Sequence, residues 1–550
     1  MPLPGVFIRT APPPPGGLPS RADVALFVGF VGRRASAVPA ALRTDLERGG
    51  WAGPGAFARS PAAVDALLDV PVVVESWDAF DALFAWDARL VTTGSAARTS
   101  CPLGAAVHAF FAEGGIRAWI VRCGDPLPVS IEPPPLDVLA LKRRLIAWAA
   151  AAPPPDADAR APLIPGFGGA GVPSDPGDPA TWHGAAHLFG IDDVAMLVLP
   201  DLPDLFAGAP EVIAEPSAPP PPAEDFKPCA PALPSAEPEE RRRPSALAAP
   251  RLDRTGYREW ARAIAALLEL MRRPRGSGHR RDVTLVAALP LPGHADVPVR
   301  ALAWPLSILA ERDLPGSGQS LLDEAQIGSP ALQLAWPWIE TAVTRTMPEG
   351  VSGGDGALAG VLARNALARG AFRSAAGLVL TAVTRTAPAL ARGDIERGLP
   401  DGRADWLGDR LCLVARRPDG FILASDATMA VDRARRTGGV ARLIGIVMRA
   451  ARWLGQGLLF DASGPVLWTR VRRELDGFLT GLWRLGALDG ASPDQAFTVR
   501  CDTSTMSQAD LDAGRVVATI ELAPAQPVER ITVTLALSDG GDGLEAQEAA

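Results

Sequence analysis

Residues 515–522 read Arg-Val-Val-Ala-Thr-Ile-Glu-Leu and residues 531–537 read Ile-Thr-Val-Thr-Leu-Ala-Leu, with Pro524 and Pro527 in the spacer between them. The second run alternates aliphatic residues with threonine or alanine, which is the two-residue period of a β-strand. A terminal strand beyond a proline-stiffened spacer must either fold back onto its own sheet or add to a sheet of another subunit.

The N-terminal end has the same arrangement. Residues 4–9, Pro-Gly-Val-Phe-Ile-Arg, form a short strand-like run that is followed by Pro12–Pro15 and two glycines. Two terminal strands on tethers predict a subunit that links to its neighbours by strand addition. The residues expected in the linking strands are Val6, Phe7, Ile8, Val516, Val517, Ile520, Ile531, Val533, Leu535 and Leu537.

Length and composition favour a large folded protein. The chain has 550 residues, enough for roughly three or four domains. Hydrophobic residues make up 48% and charged residues 21%, which supports a large core and argues against general disorder. The net charge of −8 gives no reason to expect nucleic-acid binding.

The cysteines and the apolar runs indicate a cytoplasmic protein. Five cysteines are scattered without C-x-x-C spacing, so they are expected to be reduced and mostly buried rather than a disulfide framework or zinc site. No charged segment followed by an apolar one opens the chain, so no signal peptide is expected. No apolar run approaches about 18 residues, so we expect neither a transmembrane helix nor membrane insertion.

Strand and helix patterns alternate along the chain and predict a mixed α/β fold. The predicted strands are Asp23–Val31, Pro71–Ser76, Ile116–Arg122, Asp192–Pro200, Asp282–Leu289, Gly457–Phe460 and Phe497–Cys501. The predicted helices are Asp78–Phe84 with Ser76 as its cap, Leu103–Glu113, Leu136–Ala150, Tyr257–Arg273, Gly439–Leu454 and Pro465–Leu485. In Gly439–Leu454 the pattern places Leu443, Ile444, Val447 and Leu454 inward and Arg442, Arg449 and Arg452 mostly outward. In Tyr257–Arg273 the predicted stripe is Tyr257, Trp260, Ile264, Leu267, Leu268 and Met271. In Pro465–Leu485 the predicted buried stripe is Trp468, Val471, Leu475, Phe478, Leu482 and Trp483.

Three stretches read as irregular. Residues 33–65 are rich in Ala, Pro and Gly and indicate a loop or an insertion. Residues 153–180 predict an exposed loop, and residues 208–250 predict a disordered or polyproline-like insertion on the outside of the protein. The acidic tail after residue 537 is expected to be disordered.

The segment from Leu458 to Leu537 contains a series of short motifs whose order and spacing are specific to one protein family. They are Leu-Leu-Phe-Asp at 458–461, Leu-Trp-Thr-Arg-Val at 467–471, Phe-Leu-Thr-Gly-Leu-Trp at 478–483, Gly-Ala-Leu-Asp-Gly at 486–490, Ala-Phe-Thr-Val-Arg-Cys-Asp at 496–502 and Asp-Ala-Gly-Arg at 512–515. This segment resembles the C-terminal domain of contractile tail sheath proteins, which occur in phage tails, pyocin-type particles and extracellular contractile injection systems.

Earlier stretches agree with this resemblance. Residues 4–8 look like the N-terminal arm of the family, with Phe7 in place of a tyrosine. Ala335–Trp338 and Gly356–Arg373 resemble the segment that closes the subtilisin-like sheath domain. The resemblance covers roughly two thirds of the chain, fails at 153–180 and 208–250, and is loose over 390–440.

The resemblance implies a multidomain α/β protein whose discontinuous core domain is built from N- and C-terminal parts. The implied segments are an N-terminal arm (1–22), the N-terminal part of the core domain (23–130), a middle subtilisin-like domain (131–385), a C-terminal sheath domain (386–510) and a C-terminal arm with an acidic tail (511–550).

The implied function is mechanical. Sheath subunits form a homo-oligomer of rings or a helix around an inner tube, with baseplate and cap proteins as further partners, and contraction drives the tube through a target envelope. Arg470, Arg472, Arg473 and Arg484 are possible tube-facing residues, although a solvated helix face is the simpler interpretation. The implied location is the bacterial cytoplasm during assembly and then a phage tail-like particle. A specialised paralogue near the baseplate or cap remains an alternative.

A hydrolase that uses the subtilisin-like domain is the alternative from another class. We find no Gly-Thr-Ser phrase and no histidine setting for a serine triad, so no catalytic residue and no enzyme activity are predicted. His183 and His187 could share a helix face, but the catalytic glutamate of zinc proteases is missing. The Gly-x-Gly-x-x-Gly pattern at 166–171 lacks a preceding strand, and there is no phosphate-binding Gly-Lys-Ser/Thr phrase. The sequence therefore predicts no metal and no cofactor.

Overall fold

The computed structural model contains a large sheet with helices on both faces. It describes residues 21–55, 57–131, 142, 145–146, 160–169, 174–208, 247–272, 280–293, 327–390, 405–458, 464–512, 515–525, 533–535 and 546–548. The chain divides into unit 1, Met1–Arg452, and unit 2, Trp453–Ala550.

The strands in chain order are β1 (Ala25–Gly29), β2 (Gly32–Arg33), β3 (Val72–Val74), β4 (Phe84–Ala85), β5 (Arg89–Leu90), β6 (Arg98–Thr99), β7 (Ala118–Arg122), β8 (Met196–Val198), β9 (Arg251–Leu252), β10 (Thr284–Ala288), β11 (Leu291–Pro292), β12 (Leu332–Trp336), β13 (Trp338–Glu340), β14 (Val379–Leu380), β15 (Arg385–Ala387), β16 (Cys412–Arg417), β17 (Gly420–Leu423), β18 (Phe497–Arg500), β19 (Thr519–Leu522), β20 (Val533–Leu535) and β21 (Ala546–Glu548). The α-helices are α1 (Ala40–Arg48), α2 (Pro61–Asp65), α3 (Trp77–Leu83), α4 (Pro102–Ala112), α5 (Leu202–Phe206), α6 (Arg254–Arg272), α7 (Asp355–Ala368), α8 (Asp405–Arg410), α9 (Gly438–Gly457), α10 (Pro465–Arg484), α11 (Pro493–Ala496) and α12 (Gln508–Asp512).

The main sheet of unit 1 has nine strands in the order β14-β17-β16-β12-β10-β8-β1-β7-β3. The six strands from β16 to β7 are parallel to one another. At one end β3 pairs antiparallel with β7, and at the other end β17 pairs antiparallel with both β16 and β14. β1 sits between β7 and β8, with Ala25 opposite both Ala118 and Met196. Since both faces of a parallel sheet are covered, its strands read as continuous apolar runs, and the prediction for Asp23–Val31 is confirmed.

Alternate residues of β1 belong to two separate cores. Leu26 and Val28 pack with the buried side chains of α6 on one face. Ala25 and Phe27 pack with α4 and α7 on the other face. The predicted stripe of α6 is also confirmed: Tyr257, Trp260, Ile264, Leu267, Leu268 and Met271 are all at most 2% exposed. The mixed α/β class that the sequence predicts is therefore correct.

Helices α4 and α7 cross at very short range. A Cβ atom added to Gly356 would lie 2.2 Å from the carbonyl oxygen of Ala106, and one added to Gly360 would lie 2.5 Å from that of Phe110. These distances are far below van der Waals contact, so only glycine permits the two backbones to approach so closely. The spacing of four residues places both glycines on one face of α7.

Helix α9 contradicts the predicted orientation of its arginines. Arg442 and Arg449 are each only 6% exposed, and the Arg452 side chain is 13% exposed. Arg442 makes a two-point ion pair with Asp426, at 3.0 and 2.6 Å. Arg449 and Arg452 both pair with the buried carboxylate of Asp282. The outward assignment was wrong because buried carboxylates elsewhere in the chain compensate these charges.

Several stretches predicted as irregular contain structure. Residues 33–65 include α1 and α2, so this stretch is not only a loop. Within 153–180, Ala161, Leu163 and Ile164 are at most 4% exposed and belong to the core on the α6 face, which corrects the exposed-loop prediction. Their apolar side chains outweigh the prolines around them.

Three other predicted segments are only partly covered by the described residues. Residues 209–246 lie outside them, but Leu247, Ala248 and Ala249 at the end of the predicted insertion are buried. Of the predicted helix Leu136–Ala150 only Lys142, Leu145 and Ile146 are described, and all three are buried. Gly457 ends α9 instead of starting a strand, and residues 459–460 are not described.

The described cysteines are buried and unpaired. They are Cys101, Cys123, Cys412 and Cys501. Burial raises the pKa of the Cys101 thiol to about 12 and that of Cys123 well above its ordinary value. Within the described residues, no helix has the length and apolar character that crossing a bilayer requires.

The glycine crossing generates a stability prediction. We expect Gly356→Ala to lower the free energy of unfolding by about 3 kcal/mol, because the added methyl group overpacks a backbone contact. Urea unfolding followed by circular dichroism measures this difference. The matched control is Gly408→Ala in α8, where the nearest atom to an added Cβ is 3.8 Å away. If both variants unfold at the same urea concentration, the crossing does not limit stability.

Candidate assembly interface

Helix α10 lies in unit 2. Pro465 occupies its first turn, and Gly486, with φ of 75°, follows its end. Its buried residues are Leu467, Leu475, Leu479 and Leu482. Of the predicted stripe, Leu475 and Leu482 are confirmed as buried, while Trp468, Val471, Phe478 and Trp483 are only partly buried. The burial therefore centres on the leucines, and the aromatic rings lie at its margin.

Strands β18 and β19 form an antiparallel hairpin in the same unit. Val499 lies opposite Ile520, and Phe497 lies opposite Leu522. These four apolar residues share one face because side chains alternate along a strand, and all are buried or partly buried. The residues of the other face, Thr498, Arg500, Thr519 and Glu521, are exposed. The hairpin thus has one apolar face and one solvated face.

The chain beyond β19 remains attached to unit 2 for three residues. The Ala523 N–H donates to the Ala496 carbonyl at 2.9 Å, and the Ala525 N–H donates to the Ala487 carbonyl at 3.1 Å. Asp489 N–H in turn donates to the Ala523 carbonyl at 2.9 Å. Residues 523–525 therefore belong to the fold of this unit, and a separate arm can begin only after them.

Among the described residues, the hairpin is a sheet of two strands. A two-stranded hairpin alone is marginally stable in water, and its outer edges carry unpaired backbone groups. In the same part of the chain, the indole N–H of Trp468 is buried and makes no hydrogen bond to a described residue. The two-stranded sheet is therefore one that further strands could extend.

The predicted linking residues fall into three groups. Val6, Phe7, Ile8, Ile531 and Leu537 lie outside the described residues. Ile520 lies in β19 of the hairpin, and Val516 and Val517 precede it, partly buried and 37% exposed respectively. Val533 and Leu535 lie in β20, which pairs with β21 of the acidic tail. That pairing corrects the expectation of a disordered tail for Ala546–Glu548.

The four predicted tube-facing arginines are exposed. Arg472 lies 3.8 Å from Asp476, and Arg473 lies 3.4 Å from Glu474, with side chains 59% and 76% exposed. Arg470 and Arg484 are exposed as well. Exposed pairs of this kind contribute about 0–1 kcal/mol to stability, so the arginines are available for other contacts.

The two histidines share one carboxylate partner. Asp69 accepts from the Gly184 N–H at 2.9 Å and pairs with His187 Nε2 at 3.0 Å, His183 Nδ1 at 2.5 Å and an Arg59 Nη at 2.9 Å. Despite its burial, the two histidines hold the pKa of Asp69 far below its usual range. The cluster joins the segment that leads into β3 to the 3₁₀ turn Gly184–Gly190, which is a structural role. No group of three or more metal-ligating side chains occurs among the described residues.

The glycine-rich stretch forms no nucleotide-binding turn in its described part. Residues Phe167–Gly169 make a single 3₁₀ turn, and Gly168 and Gly169 are exposed. Residues 170–173 lie outside the described part of the chain. The interpretation of this stretch as a loop agrees with this geometry.

Two buried carboxyl groups were not singled out in the sequence. Asp201 follows β8 and accepts from the Phe30 N–H at 2.9 Å, and burial raises its pKa to about 7. Asp355 begins α7, and burial raises its pKa to about 6. Its Oδ2 atom has no partner among the described residues. By contrast, although burial opposes it, Arg89 and Lys142 lower the pKa of the neighbouring Asp204. No local pattern marks an acid whose burial depends on the tertiary fold.

Comparison with known proteins supports the sheath resemblance. Residues 440–538 match the family described as phage tail sheath C-terminal domain. No curated protein matches the chain significantly. The matched range contains α10, the hairpin and most of α9.

Solved structures match over nearly the whole chain. The contracted anti-feeding prophage baseplate matches with a TM-score of 0.55 and 18% identity, covering 98% of this chain and 100% of that chain. The contracted helical sheath of the anti-feeding prophage matches with a TM-score of 0.50 and 16% identity, covering 98% and 100%. The six-fold symmetrised baseplate of the same particle matches with a TM-score of 0.50 and 16% identity, covering 98% of this chain and 99% of that chain. At these identities the likeness concerns the fold. With the C-terminal domain match, it confirms the resemblance drawn from the sequence.

The buried carboxyl group at the start of α7 generates a prediction about pH. The pKa of Asp355 is raised from 3.8 to about 6 in the folded protein, so its contribution to stability is fully present below pH 3.8 and is lost as the pH rises through 6. That loss amounts to about 3 kcal/mol at 1.36 kcal/mol for each pH unit. Asp355→Asn cannot ionise, so we expect the variant to gain stability relative to the parent between pH 4 and pH 7.

Thermal unfolding across that pH range measures the difference. Asp419→Asn, which changes an exposed carboxyl group, is the control and should follow the parent at every pH. A difference between Asp355→Asn and the parent that does not change with pH would contradict the prediction.

Proposed function

We propose that this chain is a contractile tail sheath protein, a structural subunit of a sheath that polymerises around an inner tube and contracts to drive the tube through a target envelope. The match of residues 440–538 and the fold-level likeness over 98% of the chain support the proposal. The observation that carries the mode of assembly is the hairpin of β18 and β19, whose apolar face is covered while its outer edges have no strand partner among the described residues.

Strand exchange between copies would complete this sheet. The C-terminal arm, with Ile531, Val533, Leu535 and Leu537, and the N-terminal arm, with Val6, Phe7 and Ile8, are the donors in this proposal. A seven-residue strand spans about 23 Å at about 3.3 Å for each residue. Each added main-chain hydrogen bond contributes about 0.5–1.5 kcal/mol, so one arm can hold two subunits together while their bodies reorient.

The middle of the chain provides the body of the subunit. In this proposal it comprises a discontinuous core domain and a subtilisin-like domain without catalytic residues. The subunit would assemble in the bacterial cytoplasm and then become part of a phage tail-like particle.

The baseplate-proximal alternative has one observation in its favour. Two of the three structural matches named above come from baseplate structures, and they include the match with the TM-score of 0.55. A main sheath protein would outnumber baseplate components many times in purified particles, whereas a specialised paralogue would match them in number. Quantitative mass spectrometry of the particles distinguishes the two.

The arm proposal predicts the effect of a truncation. Removing residues 526–550 should leave a folded chain that no longer forms sheath, because the cut spares the hydrogen bonds of residues 523–525 to unit 2. We expect the melting temperature to change by less than about 4 °C, equivalent to less than about 1 kcal/mol. Negative-stain electron microscopy of the chain produced together with its genomic neighbours tests assembly.

The control for the truncation removes only residues 538–550. This variant keeps the arm strand and loses the pairing of β20 with β21, so it should still form hollow striated cylinders. Sheath formation by the longer deletion would contradict the arm proposal, and absence of cylinders from the intact chain would contradict the sheath proposal.

The exposed arginines predict salt-sensitive binding to an acidic patch on the inner tube. Arg472→Ala with Arg473→Ala should reduce co-sedimentation with the tube severalfold at low salt and leave stability within about 0.5 kcal/mol. The difference from the parent should shrink as salt is raised, since mobile ions screen exposed charges. Arg433→Ala with Arg435→Ala removes two arginines from unit 1 and serves as the control. Equal loss in both pairs would indicate a non-specific effect of net charge.

A further inference from the structure

The nine-stranded sheet ends at β14, whose two residues pair with β17 on one side only. The Leu423 N–H donates to the Leu378 carbonyl at 2.9 Å, so the carbonyl of Leu378 faces β17. Backbone groups of successive residues in an antiparallel strand point in opposite directions. The N–H and carbonyl groups of Val379 therefore point away from the sheet, and Val379 is 46% exposed.

Two side chains from other elements cover this outer edge. Arg364 of α7 donates to the Val379 carbonyl. Glu113, which follows α4, accepts from the Thr381 N–H at 3.1 Å and from the Ala382 N–H at 2.7 Å. Together they occupy the outward acceptor of β14 and the next two donors along the chain.

The two side chains are also fixed to each other. Arg364 Nη1 lies 3.5 Å from Glu113 Oε2, and the Glu113 side chain is completely buried. A Cβ atom added to Gly114 would lie 3.0 Å from Cδ of Arg364, and one added to Gly360 would lie 2.9 Å from Cβ of Glu113. The crossing of α4 and α7 thus holds both groups against the edge.

We infer that Glu113 and Arg364 form an edge cap that prevents strands of other copies from adding to β14 and so restricts strand exchange to unit 2. The inference rests on the proposed function, because a subunit that exchanges strands carries free arm strands that any open edge could capture. Proteins commonly protect sheet edges with charged groups, and an edge left open is a template for aggregation. The hairpin of β18 and β19 has no such cap among the described residues. The described hydrogen-bond partners along its edges come from the segment that connects its two strands and from residues 487–496.

The test removes the two capping side chains and then blocks strand addition at β14 with a proline. Arg364→Ala with Glu113→Gln removes the cap and leaves the net charge unchanged. We expect the fraction of irregular oligomers of the purified full-length chain, measured by size-exclusion chromatography with light scattering, to rise about tenfold or more at equal concentration. Adding Val379→Pro should return it to the parent level, because proline cannot donate to an added strand and the Val379 N–H makes no bond to β17. Arg369→Ala, an exposed arginine at the end of α7, should behave as the parent does.

The outcomes separate this inference from the sheath proposal. If the uncapped variant stays as monodisperse as the parent, or if Val379→Pro does not suppress the oligomers, the edge-cap inference is wrong. The second result would assign the oligomers to general loosening of the fold. Arg364→Ala alone should show a smaller increase, and it keeps the test valid if the Glu113 variant fails to fold. Because the readout concerns irregular oligomers of the chain alone, it stands even if no ordered sheath forms.

Discussion

Buried ion pairs fix helix α9, the element that leads from unit 1 into unit 2. Arg442 pairs with Asp426, and Arg449 and Arg452 pair with Asp282. In addition, the Gln333 amide and the Ala375 N–H each donate to one of the two Asp426 carboxylate oxygens. Breaking such a pair leaves an uncompensated buried charge, which costs about 3–5 kcal/mol. Helix α9 is therefore held where its arginines meet these carboxylates. The position of α9 in unit 1 therefore depends on electrostatics as well as on its apolar stripe.

The sequence predicted those parts of the fold that local pattern controls. The apolar runs of β1 and β8, the stripe of α6 and the cap of α3 by Ser76 were found because strand and helix periods and capping residues are local signals. The arginines of α9 were misplaced because periodicity treats every charge as solvated. The buried residues Ala161, Leu163 and Ile164 were missed because their prolines resemble those of a loop. In each case a tertiary partner outweighed the local preference.

The same limit applies to the candidate assembly interface. The sequence predicted strands at Phe497–Cys501 and Arg515–Leu522, and the observed register puts four apolar residues on one face. The protection of the other sheet edge could not be predicted, since Glu113 and Thr381 are 268 positions apart. The contrast between a covered and an uncovered edge exists only in the folded chain. It is the physical basis of the proposal that strand exchange is confined to unit 2.

The buried thiols have a consequence for the proposed function, in which the chain is made in one compartment and acts in another. A thiol must lose its proton before it reacts with an oxidant or a disulfide, and burial opposes this step at Cys101, Cys123, Cys412 and Cys501. Neither a reducing nor an oxidising medium therefore alters the cross-linking of these positions. In the proposed particle, these four described thiols would keep the same covalent state inside the cell and after release.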